Sequence, residues 1–182
     1  MGVNNLAIAN LDLSDQLEIE KYEHALYSAV GRERRGGWNN ICNIDRQLKR
    51  VRMNIPYENQ RIFVVKSQSN ILAACAINVV TSGELQCEKI GFKINRTQPG
   101  ICEALVFFSH LGPMASTGIM RDFFDSLTRG IKETKAQLLY ATAEERLVRG
   151  YKVMGFKEID SLIFDGQKEV LLLRDVNAAP MI

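Results

Sequence analysis

The chain has 182 residues, 46% apolar and 24% charged, and its 23 lysines and arginines against 21 aspartates and glutamates give a formal net charge of +2. That composition describes one globular domain over residues 1–182 and excludes a disordered or collagen-like chain. The longest strongly apolar stretch, residues 71–77, falls far short of the roughly 20 residues a membrane helix needs.

A charge so close to balance singles out no polyanion, so no nucleic-acid partner is expected. Acids are scattered through the amino-terminal region, and Leu6 stands where myristoylation requires Ser or Thr. A cytoplasmic protein is therefore expected.

In chain order, residues 5–11 alternate weakly and predict a first strand, after which Asp12 and Ser14 offer helix caps. Ile19, Tyr22, Leu26, Ala29 and Val30 recur at spacings of three and four and predict a helix that Gly31 ends. Residues 32–40 break the pattern with two glycines and Trp38. Ile41, Ile44, Leu48 and Val51 then predict a second helix closed by Pro56, with Arg46, Lys49, Arg50 and Arg52 elsewhere on its wheel.

Residues 61–66 and 71–80 flank a short polar turn and predict a hairpin. Another strand is expected over 85–94, followed by a loop and the most core-like run, Cys102-Glu-Ala-Leu-Val-Phe-Phe-Ser109. A helix over 118–134 follows from Ile119, Phe123, Leu127 and Ile131 at intervals of four. After it come a short buried strand (137–142), a helix from Ala143 to Met154 stopped by Gly155, and a closing hairpin (156–164 and 168–173) about Asp165-Gly166. The 102 and 137 strands should be parallel neighbours, because a full helix links them.

Cys42, Cys75, Cys87 and Cys102 form no Cys-x-x-Cys pair, and no histidine stands at zinc-ligand spacing. They read as buried free thiols, and no metal is expected.

This order of elements, with the run Arg149-Gly-Tyr151-Lys-Val-Met-Gly155-Phe156, resembles the GNAT superfamily of N-acyltransferases and its Tyr-x-x-x-Gly-Phe signature. The resemblance implies a mixed α/β (α+β) fold: a mostly antiparallel sheet with a central parallel strand pair and flanking helices. It also implies acetyl-coenzyme A or another acyl-coenzyme A as donor, an acyl carrier protein as the alternative donor, and a small-molecule or peptide amine as acceptor.

Residue by residue, the resemblance makes Tyr151 the acid that protonates the leaving thiolate, although its ring also suits simple packing against the sheet. Glu103, the only acid in residues 101–109, or a water it holds, becomes the base, the alternative being a solvated strand start. His110 is a substitute proton acceptor. Phe107, Phe108 and Ser109 would flank the donor thioester.

The phosphate loop corresponds to Pro113-Met-Ala-Ser116-Thr117-Gly118, which retains only the last glycine of the family's pattern. Backbone donors from Ser116, Thr117, Gly118 and Ile119 would hold the pyrophosphate, or Ser116 and Thr117 would simply cap the helix. Arg34, Arg35 and Trp38 would border the acceptor, with Trp38 equally suited to anchoring the core.

The reaction implied is direct attack of the amine on the thioester, with backbone N–H groups polarising the carbonyl and no covalent intermediate. A GNAT-like shell that only binds an acidic partner through Arg46, Lys49, Arg50 and Arg52 is the alternative outside catalysis.

Overall fold

The longest apolar runs of the chain lie side by side at the centre of one sheet. The computed structural model describes residues 6–31, 39–68, 70–98, 100–111 and 117–178. Its elements are β1 (Leu6–Asn10), α1 (Gln16–Leu26), β2 (Cys42–Asp45), β3 (Arg50–Met53), β4 (Gln60–Ser67), β5 (Asn70–Asn78), α2 (Gln86–Lys89), β6 (Ile101–Ser109), α3 (Thr117–Glu133), β7 (Leu138–Glu144), α4 (Val148–Val153), β8 (Lys157–Phe164) and β9 (Gln167–Asp175).

Seven strands form a sheet in the order β1-β4-β5-β6-β7-β9-β8, and β2 and β3 form a separate ribbon. Within the seven-stranded sheet only β6 and β7 run parallel. The expected hairpins, the parallel pair and the mixed, mostly antiparallel sheet are all present. The parallel link is made by α3, which supplies the long crossover that such a connection requires.

Both faces of the central strands are covered, which explains why their sequences are nearly continuously apolar. On one face Phe123, Leu127 and Ile131 of α3 and Val148 before α4's outer turn pack on Phe63, Cys75, Ile77 and Leu139. α3 approaches so closely that a Cβ on Gly130 would lie 2.4 Å from Cζ of Phe63. On the other face Tyr22 and Leu26 of α1 cover Ile62, Val64, Ala74 and Ala76, and Cys87 of α2 packs with Tyr140 and Leu171.

The first helix is capped one residue later than expected. Asp15, not Asp12 or Ser14, accepts from the amides of Leu17 and Glu18 at 2.8 and 3.3 Å, a cap of the kind worth about 1 kcal/mol. Asp12 instead accepts from the Ser14 amide at 2.9 Å.

Two elements differ in kind from the sequence reading. Residues 41–51 form no helix: β2 and β3 make a hairpin whose turn is closed by Leu48 N–H donating to Asp45 Oδ1 at 2.8 Å. Lys49 there takes φ 53°, and Leu48 is 54% exposed, so the apolar spacing of three and four was fortuitous. Residues 85–94 form no strand either: the four-residue α2 and the turn after it bury Leu85, Cys87, Ile90 and Phe92 against the sheet.

Candidate functional site

The sheet is open at its centre. β6 and β7 pair only from Ile101 opposite Leu138 to Ala104 opposite Ala141. Immediately beyond, β6 carries a bulge: Ala104 faces Ile77 and Val106 faces Ala76, so Leu105 has no partner on β5. A bulge bends a strand and adds local twist, and here it comes where β6 and β7 separate. The gap between residues 105–109 and 142–144 is occupied by a cavity of about 640 Å³.

That cavity reaches both faces of the sheet. Tyr151, Ala143 and Phe107 line it from the face covered by α3 and α4, where Phe107 packs on Phe123 and Phe124 at ring separations of 6.4 and 5.5 Å. Gln86, Glu169 and Phe164 line it from the face covered by α2. The bulge also leaves Leu105 and Phe107, two positions apart, on opposite faces of the sheet.

Tyr151 owes its position to the end of α4. The amide of Phe156 donates to Tyr151 O and that of Gly155 to Lys152 O, both at 3.1 Å, with Gly155 at φ +82°. This double closure needs a left-handed residue, which glycine supplies without strain. The chain therefore turns back, and Phe156, 6% exposed, meets the Tyr151 ring edge-on at 5.4 Å and 82°. The ring is fixed on its apolar side while the residue lines the cavity.

The opposite wall holds two polar side chains that the sequence reading did not single out. Gln86, 3% exposed, donates from Nε2 to the carbonyl of the bulged Leu105 at 3.0 Å, whereas its Oε1 has no hydrogen-bond partner. The Leu105 carbonyl fixes this orientation, since a flipped amide would oppose two oxygens. Glu169, 2% exposed, lies opposite Glu144 across the β7–β9 ladder. Glu144 is engaged by Arg146 Nε at 2.6 Å.

Glu103 is 1% exposed, so it is no solvated strand start. Its carboxylate accepts from the amides of Gln86 at 2.9 Å and Cys87 at 2.7 Å, and it is not among the residues lining the cavity. Burial pushes its carboxyl above the ordinary value, against the opposing effect of hydrogen bonds from Cys87, Gln86 and Asn78. Glu103 thereby anchors α2, and with it Gln86.

Phe107, Phe108, Ser109 and His110 line the cavity, with His110 Nε2 3.2 Å from Ala25 O. Ile119, in the first turn of α3, packs against the core below and is not a lining residue. Thr117 is the first residue of α3, and Gly118 follows it in the same turn. Ser116, with Pro113 to Ala115, and Arg34, Arg35 and Trp38 lie outside the described residues.

All four cysteines are buried thiols outside any disulfide, and burial pushes those of Cys75 and Cys102 up to about 12. Among the described residues no group of three or more His, Cys, Asp or Glu is placed to hold a metal ion. Among the described residues no helix is long and apolar enough to cross a membrane.

No family model matches the chain, and no curated protein matches it. Solved structures do. The acyl-homoserine lactone synthase LasI superposes with a TM-score of 0.72 at 14% identity, over 95% of this chain and 90% of LasI. BjaI, a coenzyme A-dependent acyl-homoserine lactone synthase with SAM and isopentyl-CoA, gives 0.70 at 10%, over 96% and 85%. The ribosomal-protein-S18-alanine N-acetyltransferase of Escherichia coli gives 0.58 at 11%, over 96% of each chain. The chain has the GNAT fold.

Proposed function

We propose that this protein is an N-acyltransferase that moves an acyl group from a thioester to an amine by direct attack. The observation that carries the reading is the opening between β6 and β7, where one cavity joins the two faces of the sheet. A donor entering from the α3 and α4 face and an acceptor entering from the α2 face would meet at the sheet plane. Such a meeting lowers the entropic barrier to a two-substrate reaction.

The thioester lies along residues 106–109, beside Phe107, Phe108 and Ser109. The backbone of this stretch has no ladder partner on the β7 side among the described residues. Its amides polarise the carbonyl and stabilise the oxyanion of the tetrahedral intermediate. Tyr151 gives its proton to the departing thiolate. The first turn of α3, with Thr117, Gly118 and Ile119, and Ser116 just before it in sequence, holds the donor's phosphate at the positive end of the helix. The raised thiols of Cys75 and Cys102 support direct transfer, because a buried thiol with a value near 12 is protonated at neutral pH and a poor nucleophile.

A narrower reading is favoured by shape. The acyl-homoserine lactone synthases superpose at 0.69–0.72, against 0.58 for the ribosomal-protein acetyltransferase, at similar coverage of this chain. On that reading the acyl group is longer than acetyl, the donor is an acyl-coenzyme A or an acyl carrier protein, and S-adenosylmethionine is the amine.

Thermal unfolding with acetyl-coenzyme A, octanoyl-coenzyme A and octanoyl-acyl carrier protein tests the donor half. A ligand present at 100 times its Kd adds about 2.7 kcal/mol to folded-state stability, enough for a clear rise in Tm. Absence of any shift, together with absence of thiol release from all three thioesters, would remove the acyltransferase reading.

A further inference from the structure

The α2-side wall of the cavity contains a buried acceptor atom that the fold leaves unused. Gln86 Oε1 has no hydrogen-bond partner although the residue is 3% exposed. An unpaired buried oxygen is costly, because nothing replaces the water it gave up. The rest of the residue is held firmly: Nε2 donates to Leu105 O, and the backbone amide donates to Glu103, itself 1% exposed. Two buried groups thus position a third, and this residue lines the cavity beside the β6 bulge.

The charged groups nearby share the same preference. Glu169 and Glu144 face each other across adjacent strands, and Asp165 lines the same cavity. Arg146 engages Glu144. A wall of this kind, with an unpaired amide oxygen beside carboxylates, suits a ligand rich in N–H donors.

We infer that Gln86 and Glu169 form the amine subsite: Gln86 Oε1 accepts a hydrogen bond from the incoming ammonium, and the Glu169 carboxylate takes its first proton. This rests on the acyltransferase reading and gives it an acceptor of stated class, a primary amine bound as its cation. Proton transfer from R–NH3+ to the carboxylate leaves R–NH2 with a lone pair. That lone pair forms the C–N bond at the thioester carbon, and the tetrahedral intermediate collapses with cleavage of C–S. The thiolate receives the Tyr151 proton, the second nitrogen proton returns to the tyrosinate, and the Glu169 proton leaves to water. Gln86 is a positioning residue in this scheme and Glu169 a catalytic one. Glu103, which the sequence singled out, acts only by holding α2 in place.

The test uses the full chain with octanoyl-coenzyme A as donor and S-adenosylmethionine, methionine and ethanolamine as acceptor probes, followed by thiol release. Gln86→Met removes the oxygen and keeps the volume. It is expected to raise KM for the best probe about tenfold or more, while KM for the donor stays within about twofold, because one hydrogen bond to a charged group is lost. Glu169→Gln decides the matter if the Met variant does not fold.

Glu169→Gln should lower kcat/KM by about 100-fold or more and abolish the acid limb of the pH profile. The inference is overturned if Gln86→Met leaves the acceptor KM within about threefold of wild type. It is overturned as well if both KM values rise together, if Glu169→Gln keeps the acid limb, or if a protein that binds the thioester acylates none of the three amines. Failure of the wild type to bind or turn over any thioester is a different result, which removes the acyltransferase reading itself.

Discussion

Packing fixes much of the placement of Tyr151. Its ring rests on Phe156 and its helix ends at a left-handed glycine, so removal of the hydroxyl should leave the ring where it is. Tyr151→Phe is therefore expected to lower kcat by about 100-fold to 10,000-fold with little change in donor affinity, since only a proton given in the transition state is lost. Steady-state kinetics with matched donor titrations check it, and a wild-type rate would make Tyr151 a packing residue alone.

Glu103 gives a pH signature of the fold instead. Burial raises its folded-state value above the 4.5 of an ordinary glutamate. Between the unfolded and folded values the native state then holds more proton than the unfolded chain. Its contribution is most favourable below the unfolded value and is lost as pH rises through the folded one. Stability of the wild type should accordingly carry a downward component with rising pH that Glu103→Gln lacks. Urea melts at a series of pH values measure this, and parallel profiles for the two proteins would refute it.

The two residues differed in legibility for a physical reason. Tyr151 is marked by a local spacing, Tyr-x-x-x-Gly-Phe, whose geometry is closed within six residues. The role of Glu103 depends on a contact with Gln86 and Cys87, 17 and 16 positions away, which no local pattern announces. Gln86 and Glu169 were missed for the same reason.

Among the elements, strands buried on both sides declared themselves through unbroken apolar runs. Those of α2 and the β2–β3 ribbon did not. A four-residue helix spans about one turn, too short to express a helical period, and its buried Leu85, Cys87 and Ile90 imitate a strand. The ribbon places Ile41, Ile44 and Val51 at intervals that mimic a helix, and only the Asp45 turn reveals otherwise.

The packing of α3 on β4 yields a prediction of the opposite sign to helix propensity. Ala is favoured over Gly in a helix by about 1 kcal/mol. Gly130→Ala would nevertheless bring a methyl to 2.4 Å from a Phe63 ring that is 2% exposed and cannot swing aside freely. Overpacking of this kind costs about 1–3 kcal/mol, so the variant should melt below wild type. A higher Tm would mean that α3 can shift outward at little cost.

For the whole molecule, the central pairing of β6 with β7 was readable because only a long crossover can join parallel strands, and residues 118–134 supplied one. The extent of that pairing was not. Four residue pairs join the strands before the Leu105 bulge and the cavity interrupt them, and neither feature has a sequence mark of its own.

That short ladder also divides the sheet along the chain. β1, β4, β5 and β6 all precede residue 110, whereas β7, β8 and β9 all follow residue 137. Each block is antiparallel and contiguous in sequence, so during synthesis the first has its strand partners before the second has left the ribosome. The late step is the docking of two partly built halves along one seam. The same seam is the place where the finished sheet has fewest hydrogen bonds to break, so exchange of backbone amides should be fastest along the cavity edge of β6 and slowest in the β4–β5 hairpin. The opening that would admit two substrates is thus also a record of the order in which the chain is made.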